Sequence, residues 1–433
     1  MSEGQVYDFE CVLIALFAGV FFLVLVMRRL RRMQPGLSIG KAIATAFVVR
    51  VVVAFGLSLT PIARELRGGD ELTFLSKALS LSRWDLASTG SIDGLTHSLH
   101  SFFFSLNYRV FTQVPETMLR VEVIALAVAG VALLCAAVHE LAGRRPALIT
   151  AWLLAFEPTN VFFSGILHKE PFMLFAEGLV AFGGAVLWKR GEYRALVPIV
   201  LGCLIATATR PYVGWFLAAA SAAVMLHASL RRSSASRSLV LAVVVTGLAV
   251  AFVPTVWNVS SKQSLKTLQA SQDANASDTK ANLSLERVDY SSREKVVLNL
   301  PKRVLDIVTK PYPWQLQNTS QQLGVIGTTF LFVGLFLLAG ALLQNGRAIM
   351  RRAGPLVYPA LFLLAAYSLS AGNAGTAFRY RTHLVAFLAA VLVVLRAQRQ
   401  EDQVARRTPP LRRPDPVLAR GSAAPDGVHT LAT

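Results

Sequence analysis

Apolar residues along this chain gather into runs approaching the roughly 20 residues that a helix needs to cross a lipid bilayer. About eleven such runs are legible. They are Cys11 to Met27, Ile43 to Leu59, Val121 to Val138, Ala147 to Leu167, Pro171 to Trp188, Leu196 to Thr209, Tyr212 to Leu230, Leu239 to Val256, Leu323 to Leu343, Leu356 to Leu369 and His383 to Leu395. Their ends are set to within about 2 to 4 residues. The pattern predicts an all-α protein, a polytopic transmembrane helical bundle. The first run is followed, not preceded, by the basic cluster Arg28, Arg29, Arg31 and Arg32, the reverse of a secretory leader, so it reads as a retained anchor.

Composition agrees with a membrane solvent: 54% of residues are hydrophobic and 16% charged. Basic residues cluster after the first run, at Arg144 and Arg145, at Lys189, Arg190 and Arg194, at Arg231, Arg232 and Arg237, and at Arg347, Arg351 and Arg352. Those connections alternate, which predicts that they face the cytoplasm, with the N-terminus outside and the C-terminus inside. The net charge of +18 then reflects topology, and no nucleic-acid partner is needed to explain it.

This reading divides the chain into an anchor and first core helix (1–60), an outer loop with amphipathic helices (61–120) and a central bundle (121–256). A long outer loop (257–322), C-terminal spans (323–396) and a disordered, Arg- and Pro-rich cytoplasmic tail (397–433) follow. The long loop begins polar, turns amphipathic from Val296 and returns to the membrane through Tyr312 and Trp314. Its sequons at Asn258, Asn275, Asn282 and Asn318 matter only in a secretory compartment.

Several chemistries find no support. Cys11, Cys135 and Cys203 lie inside apolar runs and have no metal-ligand spacing. "HELAG" at His139 lacks the second His of a zincin helix, "RGGDE" lacks the rest of a phosphate-binding glycine loop, and no internal repeat suggests duplicated transporter halves.

The ionisable residues inside or at the ends of the runs carry the functional signal, because a charge at mid-bilayer costs a few kcal/mol at least and normally has a partner. Arg50 and Glu157 lie at similar depth and are expected to pair, as a structural ion pair or, alternatively, as part of a proton or ion relay. His168, Lys169 and Glu170 form the outer turn of a helical hairpin, with Pro171 opening the next helix. Glu177 lies two turns further, on the face of Glu170 and roughly 10 Å deeper. Arg210 joins two runs without a loop, and Arg379 and Arg381 enter the last run from outside, against the positive-inside bias. Cations converging at one membrane face suit an anion such as a lipid phosphate or diphosphate. Opposite them stand Asp70 and Glu71, before an expected interfacial helix over Leu72 to Leu81. Asp70 serves either as that helix's cap or as a general base acting on an acceptor hydroxyl.

An acid in the first outer loop, amphipathic helices after it and a hairpin bearing a second acid resemble the GT-C superfamily of polyprenol-phosphate-sugar glycosyltransferases. Three stretches resemble, more narrowly, the family-39-like polytopic proteins of bacterial exopolysaccharide and O-antigen clusters. They are "FFSGILHKEPFMLF" through Ser164, Lys169 and Glu170; "LPKRVLDIVTKPYPWQ" through Leu300, Pro301, Pro311, Tyr312, Pro313 and Trp314; and "GNAGTAFRYRTH" through Asn373, Gly375, Thr376, Arg379 and Arg381. Glu170 stands where that family more usually has Asp, and the first apolar run precedes its core.

The resemblance implies GT-C-like architecture and a sugar transfer at the outer face of the bacterial inner membrane, from a polyprenyl-phosphate or diphosphate donor to a glycan, lipid or protein hydroxyl. Asp70, with Glu71 second, becomes the base. Lys169, His168, Arg210, Arg379, Arg381 and Asn373 become the substrate-binding set. Glu170 orients Lys169 or holds Mg²⁺ or Mn²⁺, which such a reaction allows without demanding. Other exopolysaccharide assembly proteins become possible partners. The alternatives are a polysaccharide polymerase or ligase using Arg287, Arg293 and Arg303, and a flippase or transporter relying on Arg50, Glu157 and Glu177.

Overall fold

The computed structural model describes residues 3–59, 62–83, 99–230, 286, 288–310, 312, 314, 319–371 and 374–407, with isolated positions between 265 and 273. Among them every regular element is helical: α1 (Glu3–Met33), α2 (Gly40–Ser58), α3 (Ile62–Ser82), α4 (Leu99–Val110), α5 (Glu116–Ala142), α6 (Arg144–Phe156), α7 (Pro158–Ser164), α8 (Glu170–Arg190), α9 (Leu196–Thr209), α10 (Pro211–Leu230), α11 (Arg293–Thr309), α12 (Thr319–Ser370) and α13 (Ala374–Arg407). The expected run at Leu239–Val256, the sequons, Arg287 and the segment after Arg407 lie outside the described residues.

Among the described residues eight helical segments are long and apolar enough to cross a membrane, and nine if α6 and α7 count as one broken span. Against the expectation of about eleven, two of the described runs differ. The run from Leu196 becomes α9, whose 14 residues rise only about 21 Å. The runs at Leu323 and Leu356 each supply a candidate span, Gly327–Gln344 and Ile349–Ser370, but both fall on the single 52-residue helix α12. Its intervening Gln344, Arg347, Ala348 and Met350 are sound helix formers, so hydrophilicity there does not make a loop. The run from Ala147 breaks at Glu157, where α6 and α7 meet at 63°. Pro158 disfavours helical backbone at the residue before it, and Glu157 is extended with φ −62° and ψ 117°.

That break also changes the expected Arg50–Glu157 ion pair: the two charges still feel each other, but no direct salt bridge joins them. Each charge instead satisfies backbone or side chains exposed at the break. Glu157 caps α7, accepting from the amides of Thr159 (3.1 Å) and Asn160 (2.6 Å) and from the Thr159 hydroxyl (2.7 Å). Arg50 donates to the final carbonyls of α6 at Leu154 (2.9 Å) and Ala155 (3.4 Å), and to Asn160 Oδ1 (3.0 Å), Ser164 Oγ (3.2 Å) and its own Ala46 carbonyl (3.0 Å). A guanidinium has five N–H donors and no acceptor, so a cluster of carbonyls suits it as well as a carboxylate does.

Two further boundaries shift. Asp70 lies inside α3 and does not cap it, because the helix begins at Ile62 and runs through Gly68 and Gly69. The last helix continues to Arg407, past the expected start of a disordered tail at 397.

Small residues bring the spans together. A Cβ at Gly130 on α5 would sit 2.5 Å from the Leu174 carbonyl oxygen of α8, and one at Gly178 would sit 2.5 Å from the Gly130 carbonyl oxygen. The backbones of α5 and α8 therefore touch. On another side of α8, a Cβ at Gly202 of α9 would meet the Ala176 carbonyl oxygen at 2.5 Å. Lipid tails are as apolar as Leu, so spans gain little by hiding hydrophobic surface from lipid, and such close van der Waals contact is what remains to hold them. Helix α8 opens with Pro171 in its first turn and closes at Gly191, whose φ of +72° favours glycine. By contrast α1 packs along one face and leaves Phe9, Phe17 and Phe21 exposed.

Gly178→Val is expected to destabilise the protein by about 1–3 kcal/mol through overpacking. Gly56→Ala, where a Cβ meets nothing within 4 Å, is expected to be neutral or stabilising. Thermal unfolding in one detergent measures both, and equal midpoints for the two variants would refute the α5–α8 contact.

Candidate functional site

The five-residue turn Gly165–Lys169 between α7 and α8 is held from two sides. Glu71 of α3, 1% exposed, accepts from the Leu167 amide (3.0 Å) and pairs with Arg120 (2.7 Å). Arg120 donates in turn to the Gly165 carbonyl (2.9 Å) and reaches Glu116 (3.3 Å). Glu71 is thus committed to fixing the hairpin, which removes it from the expected catalytic pair. Arg120 is a residue that the sequence reading missed; its visible signal was a basic residue directly before an apolar run.

The hairpin carries its ionisable residues into a connected cluster. Asp70 accepts from Arg379 Nη1 (2.8 Å), and the same nitrogen lies 2.8 Å from His168 Nδ1. His168 Nδ1 also lies 3.9 Å from Glu170 Oε2, so the imidazole stands between the Arg379 cation and the Glu170 carboxylate. Glu170 Oε1 accepts from Arg210 Nη2 (2.6 Å), both residues being buried. The Arg210 guanidinium lies over the Tyr380 ring at 4.9 Å, and the Tyr380 hydroxyl meets that of Tyr212 at 2.9 Å. Lys169 Nζ lies 5.4 Å from the centroid of Phe74. Four chain segments therefore deliver Asp70, His168, Lys169, Glu170, Arg210 and Arg379 to one place.

The electrostatics follow from burial and neighbours. Burial pushes the Asp70 carboxyl up, but the Arg379 charge and hydrogen bond outweigh it and hold Asp70 below the usual carboxylate range. Asp70 is ionised at neutral pH, the state a general base needs, with some loss of basicity. Burial, then the charge of Arg210, pushes Lys169 down to about 8, although Glu170 and Asp70 pull the other way. Lys169 therefore changes charge just above neutrality.

Beneath the cluster, Glu177 is buried and joined to His383 Nδ1 (2.9 Å) and to the Tyr367 hydroxyl (3.1 Å). The Tyr367 ring stacks on Tyr380 at 4.3 Å and 15°. An aromatic column thus links Glu177 to the underside of Arg210.

Arg381 does not join the expected anion-binding set. Fully buried, it donates to the Ile307 carbonyl (2.5 Å), the Thr328 hydroxyl (2.6 Å) and the Lys310 carbonyl, and so binds the end of α11 to α12 and α13. Two residues along a helix turn the side chain by about 200°, so Arg379 and Arg381 face opposite ways. Asn373 lies outside the described residues. The structure places Glu170 on Arg210, not on Lys169.

Among the described residues no group of three or more His, Cys, Asp and Glu side chains gathers as a metal site. The two carboxylates of the cluster are each bonded to an arginine. This donor set does not fit a hard divalent cation, which takes six or more oxygens. No step below is routed through one. No protein-family model, curated protein or solved structure matches the chain.

Arg120→Met leaves Glu71 ionised and buried without its cation, a cost of about 3–5 kcal/mol. Adding Glu71→Gln, which still accepts from Leu167, is expected to recover most of the lost thermal stability. A double variant as unstable as the single one would refute the pairing.

Proposed function

We propose that the protein is a membrane glycosyltransferase. It moves a sugar from a polyprenyl-phosphate-linked donor to a glycan, lipid or protein hydroxyl at the outer face of the cytoplasmic membrane, with its N-terminus outside and C-terminus inside. One observation carries the reading: Arg379, paired with an ionised Asp70, shares one cluster with Lys169 and with Arg210 on Glu170, at the end of the bundle where α8, α10 and α13 begin. Cations at the membrane boundary suit a lipid phosphate, and an adjacent carboxylate suits an incoming hydroxyl. GT-C-like architecture belongs to the same proposal.

In this mechanism the acceptor oxygen attacks the anomeric carbon while the bond from that carbon to the phosphate oxygen breaks. The phosphate leaves with the electron pair, and Arg210, Arg379 and Lys169 stabilise its growing charge. Asp70 takes the acceptor proton. Because Arg379 holds Asp70 at 2.8 Å before the donor binds, a phosphate drawing Arg379 to itself releases the carboxylate for that task. Donor binding thereby raises the basicity of Asp70 at the right moment.

Transport of a lipid-linked glycan is the second reading, and the buried Glu177–His383–Tyr367 group favours it, since intramembrane acids often line ion paths. The polymerase alternative is weakened because Arg303 is buried, with Asp306 3.7 Å away.

In cells carrying only Asp70→Asn or Lys169→Ala, with protein level checked in the same membranes, the surface glycan is expected to disappear and a lipid-linked precursor to accumulate. Loss of the base lowers turnover by about 10²–10⁴-fold. Unchanged glycan in both variants would overturn the catalytic reading and direct attention to Glu177 and His383.

The purified protein is further expected to bind a polyprenyl phosphate with constant affinity from pH 7 to just below 8. Affinity then falls about tenfold by pH 9 as Lys169 loses its proton. Lys169→Arg, charged throughout, is expected to abolish the fall. A wild-type profile that stays flat to pH 9 would remove Lys169 from the phosphate site.

A further inference from the structure

The polar atoms left without hydrogen bonds around the cluster are of both kinds. Glu170 Oε1 accepts from Arg210, but the buried Glu170 Oε2 accepts nothing. Arg210 Nη1 donates to nothing. His100, on α4, is 1% exposed, and neither of its ring nitrogens has a partner. Its ring stands edge-to-face with Phe74 at 4.3 Å and lies 6.5 Å from Phe172, so aromatic packing fixes its orientation. It senses the charges of Lys169, Arg210, Lys77 and Glu170 and so belongs to the same neighbourhood. Burial first, then those cations, push its pKa down to about 3. A neutral imidazole offers one N–H and one lone pair.

Buried donors and acceptors carry the full desolvation penalty when nothing meets them, and such atoms in a native protein call for an explanation. A bare phosphate answers Arg210 and the one N–H of His100 but neither Glu170 Oε2 nor the His100 lone pair, because phosphate oxygens only accept and those two atoms require a donor. A hydroxyl group both donates and accepts, and several on one ring answer Glu170, Arg210 and His100 together. We propose that His100 and Glu170 form a hydroxyl-reading subsite beside the cations, which takes the uncharged polyhydroxylated ring of a molecule whose phosphate those cations hold. This rests on the lipid-phosphate reading above and makes His100 a determinant of which sugar is accepted.

His100→Phe discriminates this role from mere packing. Phe suits the aromatic surroundings of Phe74 and Phe172 and removes both unpaired nitrogens, so the thermal unfolding midpoint is expected to hold or rise. The full chain in nanodiscs is titrated with decaprenyl phosphate and with its mannosyl, glucosyl, galactosyl and arabinosyl derivatives.

The wild type is expected to prefer at least one glycosylated lipid over decaprenyl phosphate by about tenfold. His100→Phe is expected to remove that preference while leaving decaprenyl phosphate affinity unchanged. His100→Gln or His100→Asn, which keep a donor and an acceptor, are expected to restore part of it. Preference retained in His100→Phe, no preference in the wild type for any of the four sugars, or a lowered unfolding midpoint for His100→Phe overturns the subsite while phosphate binding stands. A wild type that binds none of the five lipids overturns the phosphate reading, and this subsite with it.

Discussion

Direct contact between the backbones of α5 and α8 at Gly130 and Gly178 sets the geometry on which the rest depends. Helices in lipid gain little from hiding apolar surface, so they hold where small residues let main chains approach. Once those backbones touch, the height of α8 in the bundle is fixed. Glu170 at its first turn and Glu177 two turns on are then placed against Arg210 and against His383 and Tyr367. Helix α9 reaches α8 from another side through Gly202, which keeps Arg210 within reach of Glu170.

Charges buried in this setting are answered in three ways. Arg50 and Arg381 bind helix-end carbonyls, at Leu154 and Ala155 in one case and at Ile307 and Lys310 in the other. Glu71 and Arg120 answer each other and, with what remains, the turn from Gly165 to Leu167. The cluster around Glu170 differs. Asp70 is 54% exposed at its side chain while Glu170 is 2% exposed, so the group passes from solvent to interior within a few ångströms. A charged ligand entering at Asp70 meets cations whose field is screened less with each step inward.

Much of this was legible in the sequence, and the exceptions have physical causes. The helical class, the hairpin at His168, the opening role of Pro171 and the convergence of Lys169, Arg210 and Arg379 all follow from runs of apolar residues interrupted by charge. The span count did not, because an apolar run shows neither the continuity nor the final length of its helix: Pro158 breaks one run, and the run from Leu196 yields only 14 helical residues. Matching Arg50 to Glu157 by depth overlooked the backbone groups that a break releases, which compete for both. Glu71 and Asp70 are neighbours in sequence yet project differently from α3, one toward Arg120 and the other toward Arg379. His100 gave no signal, since a lone histidine among phenylalanines acquires meaning only when its nitrogens are seen to lack partners.

The collar that Arg50 makes around the α6–α7 break bears on how the protein is built. Its acceptors at Leu154 and Asn160 lie 104 and 110 residues later in the chain. At a synthesis rate of about 5–20 residues per second, α2 leaves the ribosome about 5–20 s before those acceptors exist. During that interval a charged guanidinium belongs to a segment destined for lipid and has only the Ala46 carbonyl of its own helix to bind. Helix α2 therefore carries the cost of an incompletely answered charge until the broken helix arrives to supply the remaining acceptors.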